Sequence, residues 1–271
     1  MTTRAPETLG LIAGNGSLPL VVAQAARRSG LRVVAFALQE ETDPSLADMV
    51  DRIHWISVGQ FKELLALLRQ EQIRRAVMIG QIRHDLLFSD IAQDEALQGL
   101  LAQVKDKRTD SILSAVANHL HQIGIELIDS RSLITQYLPA AGVLTQTQPT
   151  PAHWEDITFG IAMAKAIAGL DIGQTVVVKN KVVVSVEAIE GTDEAIRRAH
   201  HYCQEGAVVV KVSKPAQDMR FDIPVIGRRT IDTLAANRIA ALAIEAHKTF
   251  LLDREYVIQQ ADAYGIAVVA V

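Results

Sequence analysis

The chain has 271 residues, of which 49% are hydrophobic and only 4% aromatic, so aliphatic side chains must fill its core. A single cysteine, Cys203, excludes an internal disulfide and a cysteine-based zinc cluster, and it fits a reducing compartment. The net charge of −4 argues against general nucleic-acid binding. No apolar run approaches the roughly 18 residues of a membrane span, and the first residues lack the order of a signal peptide, so we expect a cytoplasmic protein.

Residues 1–136 are predicted to form a Rossmann-like domain, because strand and helix patterns alternate along them. The first strand leads into the turn Gly14-Asn15-Gly16-Ser17, where a ligand could approach backbone N–H groups at a helix start. Pro19 stands where a dinucleotide-binding fingerprint has its third glycine, so an ordinary strand-to-helix turn explains the pattern equally well. Strands are predicted at residues 9–13, 31–38, 52–57, 76–79 and 125–128, and helices at 18–29, 60–70, 93–104 and 110–122.

A second polar turn, Gly80-Gln81, follows the strand predicted at residues 76–79. Ligands of doubly wound sheets bind outside the carboxyl ends of the strands, so this turn and the glycine turn at residues 14–17 are expected to face one crevice. The next residues include Arg83, His84 and Asp85, of which His84 is explained as readily by a surface or capping role as by a functional one.

Residues 137–152 contain three prolines and no charged side chain, which predicts an extended tether between domains. Residues 153–271 are predicted to form a C-terminal α/β catalytic domain. It should contain a hairpin around Lys179-Asn180-Lys181, flanked by two valine-rich runs. Helices are predicted at residues 153–169, 194–204, 228–237 and 254–264, and strands or apolar runs at 207–212, 240–244, 249–251 and 266–271.

Two segments of this second domain combine residue types suited to phosphate chemistry. Glu187, Glu190 and Asp193 place three carboxylates beside a strand end, where they could bind a hard cation, although a helix capping box explains residues 190–193 as well. The segment 211–227, KVSKPAQDMRFDIPVIG, follows a strand and contains Asp218, Arg220 and Asp222 between two prolines. Carboxylates hold Mg²⁺ and arginine neutralises phosphate, whereas the alternative is a solvated loop with local ion pairs.

Four stretches of the chain resemble the LpxI family: GLIAGNGSLP, DIGQTVVV, VEAIEGTDEAIRR and KPAQDMRFDIPVIGRRTI. The resemblance covers essentially the whole chain. It implies a UDP-2,3-diacylglucosamine pyrophosphatase of lipid A biosynthesis in Gram-negative bacteria, with a Rossmann-like and an α/β domain holding the substrate between them. It further implies Mg²⁺-dependent attack of water on the α-phosphate, with Mn²⁺ as the alternative metal, releasing UMP and 2,3-diacylglucosamine 1-phosphate (lipid X).

The resemblance places the essential aspartate at Asp222, while some relatives have glutamate where this chain has Asp218, so the role of Asp218 as a metal ligand stays open. The candidate catalytic residues are Asp222, Asp218 and Arg220. The candidate metal ligands are Asp222, Asp218, Glu190 and Asp193. The candidate substrate-binding residues are Gly14, Asn15, Gly16, Ser17, Gly80, Gln81, Thr192, Lys214 and Gln217, with Lys214 and Arg220 expected to meet phosphate oxygens.

Two other readings stay open. The strand–glycine turn–helix opening suggests a nicotinamide-dependent oxidoreductase, but Glu40 and Glu41 come late for the acidic residue that binds the cofactor ribose. A non-catalytic nucleotide- or lipid-binding module would tolerate Asp222→Asn, whereas a hydrolase would not. The expected partner is an acylated UDP-sugar and not a nucleic acid, and peripheral contact with the inner membrane and homo-oligomer formation are left open.

Overall fold

The computed structural model describes residues 6–82, 93–105, 108–221 and 223–271. These residues form two compact units. The first unit comprises the described part of residues 1–134 together with that of Asp218–Asp222, and the second comprises Thr135–Gln217 and Ile223–Val271. The short segment that carries Asp218 and Arg220 therefore belongs to the first unit, although the sequence assigned it to the C-terminal domain.

The first unit contains a five-stranded parallel sheet with the strand order β3-β2-β1-β4-β5. Its strands are β1 (Thr8–Ala13), β2 (Arg32–Leu38), β3 (Arg52–Ile56), β4 (Arg75–Ile79) and β5 (Glu126–Leu127). Its helices are α1 (Leu18–Arg28), α2 (Phe61–Gln70), α3 (Glu95–Ala102) and α4 (Thr109–Gln122), with 3-10 turns at Pro44–Met49 and Ser130–Ser132. This is the Rossmann order, in which the chain reverses its winding between β1 and β4, and it confirms the predicted fold class.

The apolar runs of β1 and β2 explain why they occupy the centre of this sheet. All but the first residue of each strand is buried, as expected for parallel strands with both faces covered. Helix α2 adds a leucine-rich face to the same core, with Leu64, Leu65 and Leu68 buried. Phe221 also packs into this core, which anchors the segment around Arg220 in the first unit.

The second unit contains a six-stranded mixed sheet with the order β6-β13-β11-β9-β7-β8, and a separate parallel pair of β10 and β12. Its strands are β6 (Gly142–Val143), β7 (Thr175–Lys179), β8 (Val182–Val186), β9 (Val208–Lys211), β10 (Val225–Ile226), β11 (Ala241–Ile244), β12 (Phe250–Leu251) and β13 (Ala267–Ala270). Its helices are α5 (Pro151–Gly169), α6 (Thr192–Cys203), α7 (Arg228–Ala236) and α8 (Arg254–Ala263), with a 3-10 turn at Thr135–Tyr137.

The predicted hairpin around residues 179–181 is confirmed. Strands β7 and β8 pair antiparallel, and the two residues between them, Asn180 and Lys181, have φ angles of 51° and 58°. Such angles suit a tight two-residue turn. The carboxylate of Asp156 on α5 accepts the backbone N–H groups of both turn residues, at 2.9 and 2.6 Å, so the helix holds the hairpin in place.

The predicted tether is wrong from Gly142 onward, because these residues are built into the second unit. Strand β6 pairs antiparallel with β13, and the N–H of Thr147 donates to Asp262 Oδ1 at 2.8 Å. Thr150 then caps helix α5, which begins at Pro151 rather than at residue 153. An uncharged stretch of threonine, glutamine and proline can cover a sheet edge as readily as it can form a flexible connection. Within the described residues, no helix is long and apolar enough to span a bilayer.

Candidate functional site

The structure brings the two glycine-containing turns of the first unit together, at the carboxyl ends of β1 and β4. Asn15 and Gln81 exchange backbone hydrogen bonds of 2.7 and 3.0 Å, and the N–H of Gly14 donates to the carbonyl of Ile79 at 2.9 Å. This place is the topological switch point of the sheet, where doubly wound folds bind their ligands.

Close contact between the two turns requires glycine at two of the predicted positions. A Cβ atom on Gly14 would lie 2.7 Å from the carbonyl oxygen of Gln81, and one on Gly80 would lie 2.7 Å from the carbonyl carbon of Gly14. Gly16 differs, because a Cβ there would meet no described atom within 4 Å, although its φ of 94° still favours glycine. Ser17 precedes α1 and makes no side-chain cap to it. Gly16 and Ser17 are thus an exposed part of this turn.

Glu41 also belongs to this site, although sequence reasoning considered it only for a cofactor ribose. The side-chain amide of Asn15 donates to Glu41 Oε2 at 2.8 Å, and the Glu41 side chain is buried. Glu40 points elsewhere and accepts the hydroxyl of Ser57. Asn15 therefore holds the glycine turn against the end of the second strand, and the signal that could have found this pair is the acidic residue after β2.

Asp218 and Arg220 form an ion pair within the first unit. The guanidinium donates from Nη2 to Asp218 Oδ2 at 2.6 Å and from Nε to Oδ1 at 3.0 Å. These hydrogen bonds hold the pKa of the Asp218 carboxyl below its usual range, so Asp218 is ionised near neutral pH. Both contacts use one edge of the guanidinium. Asp222, like Arg83, His84 and Asp85, lies outside the described residues.

Lys214 and Gln217 lie in the second unit and are both engaged. Lys214 Nζ pairs with Asp171 Oδ1 at 2.6 Å, and both side chains are largely buried. The side-chain oxygen of Gln217 accepts the backbone N–H of Lys214 at 3.1 Å. A phosphate at Lys214 would therefore have to share this ammonium with Asp171.

Thr192 lies in a partly buried polar cluster beside the carboxyl end of β9. Its hydroxyl donates to Glu187 Oε1 at 2.7 Å and accepts from Lys211 Nζ at 2.7 Å. Burial raises the pKa of Glu187, but Lys211 and hydrogen bonds from Thr175, Thr192 and the backbone outweigh it, so the pKa is lowered and Glu187 is ionised. The expected capping box is wrong, because Gly191 is the N-cap of α6 and no side chain caps the helix.

The described carboxylates do not assemble a metal site. Glu190 pairs with Arg198 at 2.8 Å and Asp193 with Arg229 at 2.5 Å, while Asp218 is held by its own arginine. Across residues 6–82, 93–105, 108–221 and 223–271, no three His, Cys, Asp or Glu side chains are grouped so that they could bind a metal ion. Each predicted ligand in this part of the chain is already neutralised by a guanidinium, which is a poor starting arrangement for a dedicated cation site.

Sequence reasoning missed a second ionic cluster in the second unit, in which Glu245 contacts the buried Ser213, the partly buried Lys165 and the exposed Lys248. Glu245 follows β11 directly, and its Oε2 atom accepts from Lys165 Nζ at 2.6 Å, from Ser213 Oγ at 2.7 Å and from the Ser213 N–H at 3.0 Å. Its other oxygen accepts from Lys248 at 2.6 Å. Burial raises the pKa of Glu245, but the hydrogen bonds from these partners outweigh burial and lower the pKa to about 2. Only the position of Glu245 after a buried strand hinted at this role.

Two family models match the chain, one for each half, and they meet close to the boundary between the two units. Residues 8–137 match the model of the LpxI N-terminal domain, and residues 140–269 match that of the LpxI C-terminal domain. The chain belongs to the LpxI family. A relative from Caulobacter vibrioides, UDP-2,3-diacylglucosamine pyrophosphatase LpxI, is 32% identical over 276 residues, which cover 97% of each protein. The family resemblance seen in the four sequence stretches is confirmed.

Solved structures are similar to this LpxI chain only weakly. The biotin carboxylase domain of a thermophilic 2-oxoglutarate carboxylase is 13% identical, with a TM-score of 0.27 over 62% of this chain and 34% of that one. The glycinamide-RNase-transformylase T of Mycobacterium tuberculosis is 14% identical, with a TM-score of 0.26 over 67% and 44% of the two chains. The chain thus spans less than half the length of these structures, and similarity this weak supports no functional inference.

Proposed function

We propose that this protein hydrolyses the pyrophosphate bond of UDP-2,3-diacylglucosamine in lipid A biosynthesis. The observation that carries the proposal is the match to the Caulobacter vibrioides enzyme, which bears this substrate in its name and aligns over 97% of both chains. A match of that extent includes both domains of the family. The alternative of a nicotinamide cofactor has less support, since Pro19 stands where the fingerprint has its third glycine.

In the proposed reaction, a water oxygen forms a bond to the α-phosphorus while the bond from that phosphorus to the bridging oxygen breaks. The products are UMP and 2,3-diacylglucosamine 1-phosphate. The water must lose a proton, and Asp222 is the proposed acceptor or orienting group, on the strength of the family resemblance. Arg220 is proposed to meet phosphate oxygens with the edge of its guanidinium that Asp218 does not use.

The reaction is also proposed to depend on a metal ion, although Glu190, Asp193 and Asp218 are each paired with an arginine and would have to share their charge with it. The support is chemical: a diphosphate substrate brings hard oxygen ligands of its own, and Asp222 is a further carboxylate nearby in sequence. A bound Mg²⁺ or Mn²⁺ ion would neutralise phosphate charge. Activity should therefore disappear in excess chelator and return on adding Mg²⁺. Full activity in chelator would refute the metal dependence alone.

The activity is tested by incubating the protein with UDP-2,3-diacylglucosamine and Mg²⁺ in water enriched in ¹⁸O, followed by mass spectrometry. We expect UMP carrying one ¹⁸O and unlabelled 2,3-diacylglucosamine 1-phosphate. Label in the lipid product would place the attack on the other phosphorus, and absence of both products would refute the function. Asp222→Asn should abolish turnover, whereas a binding module would be unaffected by it.

Two further expectations remain proposals. The acyl chains of the substrate would draw the protein to the inner membrane surface, which sedimentation with vesicles can test. Homo-oligomer formation is open to measurement by analytical ultracentrifugation.

A further inference from the structure

The chain from Ser213 to Pro224 is held at both ends by one short stretch of the second unit, residues 245–251. At the first end, Glu245 accepts both the N–H and the hydroxyl of Ser213, at 3.0 and 2.7 Å. At the other end, the N–H of Phe250 donates to the carbonyl of Pro224 at 2.9 Å, and β10 pairs with β12. Between these two anchors lie Asp218 and Arg220, and also Asp222 in the sequence.

The first anchor is ionic and is built from three separate parts of the chain. Lys165 on α5 donates to Glu245 at 2.6 Å and also to the carbonyl of Ser213 at 2.9 Å, so one ammonium binds both partners. Ser213 is fully buried, and the Glu245 side chain is only 15% exposed. Charge-assisted hydrogen bonds in such a place are short and strong, and they fix the direction in which the chain leaves β9.

From this geometry we infer that Glu245, with Lys165, is a positioning residue for the segment 214–221, which carries the proposed phosphate-binding residues Lys214 and Arg220. This rests on the proposed function, because the segment is catalytic only if the protein is a hydrolase. Glu245 acts through Ser213 and touches no reacting atom. Its carboxylate sets where the segment begins, and a displacement of about 1 Å at reacting groups can lower a rate by as much as 100-fold.

The test compares Glu245→Gln, which keeps the size of the side chain but removes its charge, with Asp156→Asn. Asp156 is a suitable control because it is a buried acid of the same unit whose carboxylate also holds backbone, accepting the N–H groups of Asn180 and Lys181. The β7–β8 hairpin that Asp156 holds lies near the amino-terminal end of β9, whereas Ser213 follows the carboxyl end of that strand. Both substitutions should destabilise the fold, but only Glu245→Gln should disturb the segment.

We expect Glu245→Gln to lower kcat on the order of 30-fold with KM within about threefold of wild type. Asp156→Asn should leave both within about twofold. Ser213→Ala should lower kcat less than Glu245→Gln does. The double variant should lose less in kcat than the product of the two single fold-losses, since both substitutions act on one contact. A kcat for Glu245→Gln close to that of wild type, or an equal loss in Asp156→Asn, would overturn the inference.

A readout without substrate separates this inference from the proposed function. Trypsin can cut after Arg220, inside the anchored segment, so the rate of that cleavage reports how firmly the segment is held. Glu245→Gln should be cut several times faster there than wild type or Asp156→Asn. Equal cleavage rates in all three proteins would refute the positioning role, whether or not the protein hydrolyses the substrate. A wild-type protein that leaves UDP-2,3-diacylglucosamine intact would refute only the proposed function.

Discussion

The ion pairs of Glu245 should make the second unit sensitive to acid. The pKa of Glu245 is lowered from 4.5 to about 2, because hydrogen bonds from Lys165, Lys248 and Ser213 outweigh the cost of burial. A carboxyl with a lowered folded-state pKa stabilises the fold above its unfolded pKa and loses that contribution as pH falls from about 4.5 towards 2. The shift corresponds to about 3 kcal/mol, which partial solvent access at the sheet edge reduces to roughly 2 kcal/mol.

The measurement is urea unfolding at several pH values from 7 to 3, comparing Glu245→Gln with the parent protein. The chain has two tryptophans, Trp55 in the first unit and Trp154 at the start of α5 in the second. In a Trp55→Phe background, fluorescence therefore follows the second unit alone, which avoids assuming that both units unfold together.

We expect the free energy of unfolding to differ by roughly 2 kcal/mol at pH 7 and by less than half of that at pH 3. Lys248→Met should show a smaller difference at neutral pH, because the more buried Lys165 keeps its contact with Glu245 at 2.6 Å. A difference between Glu245→Gln and its parent that stays constant from pH 7 to pH 3 would show that the charge of Glu245 does not stabilise the unit.

Three further predictions follow from individual residues. Gly14→Ala should abolish activity and lower the free energy of unfolding of the first unit by about 2–3 kcal/mol, because its Cβ would press on the carbonyl of Gln81. Gly16→Ala should cost only about 1 kcal/mol, because its Cβ would meet no described atom. Equal losses of activity and Tm in the two variants would contradict this. Asp222→Ala should lower kcat at least ~10³-fold while substrate still binds, and Asp218→Ala should lower it less, which paired kinetic and binding assays can check. Gly160→Ala on α5 should lower the Tm of the second unit despite alanine's better helix propensity, because its Cβ would lie 2.6 Å from Val210 Cγ2; an unchanged or higher Tm would refute the tight helix–sheet contact.

Patterns that extend over a few residues were readable from the sequence. The apolar runs of β1 and β2 and the leucine-rich face of α2 predicted a Rossmann-like unit, because strand and helix periodicities are local properties. The hairpin at residues 179–181 was equally local. The four family stretches identified the LpxI family directly, and the comparisons confirmed it.

Contacts between distant parts of the chain were decided only by the tertiary structure. Glu245 lies 32 residues from Ser213 and 80 from Lys165, and it meets them because β9 and β11 are neighbours in the sheet. A helix cap was likewise the local alternative for Thr192, whereas the fold turned its hydroxyl to Glu187. The physical reason is the same in both cases. A polar side chain at a buried strand end takes the partner that strand order brings within about 3 Å, and strand order is not encoded in the residues next to it.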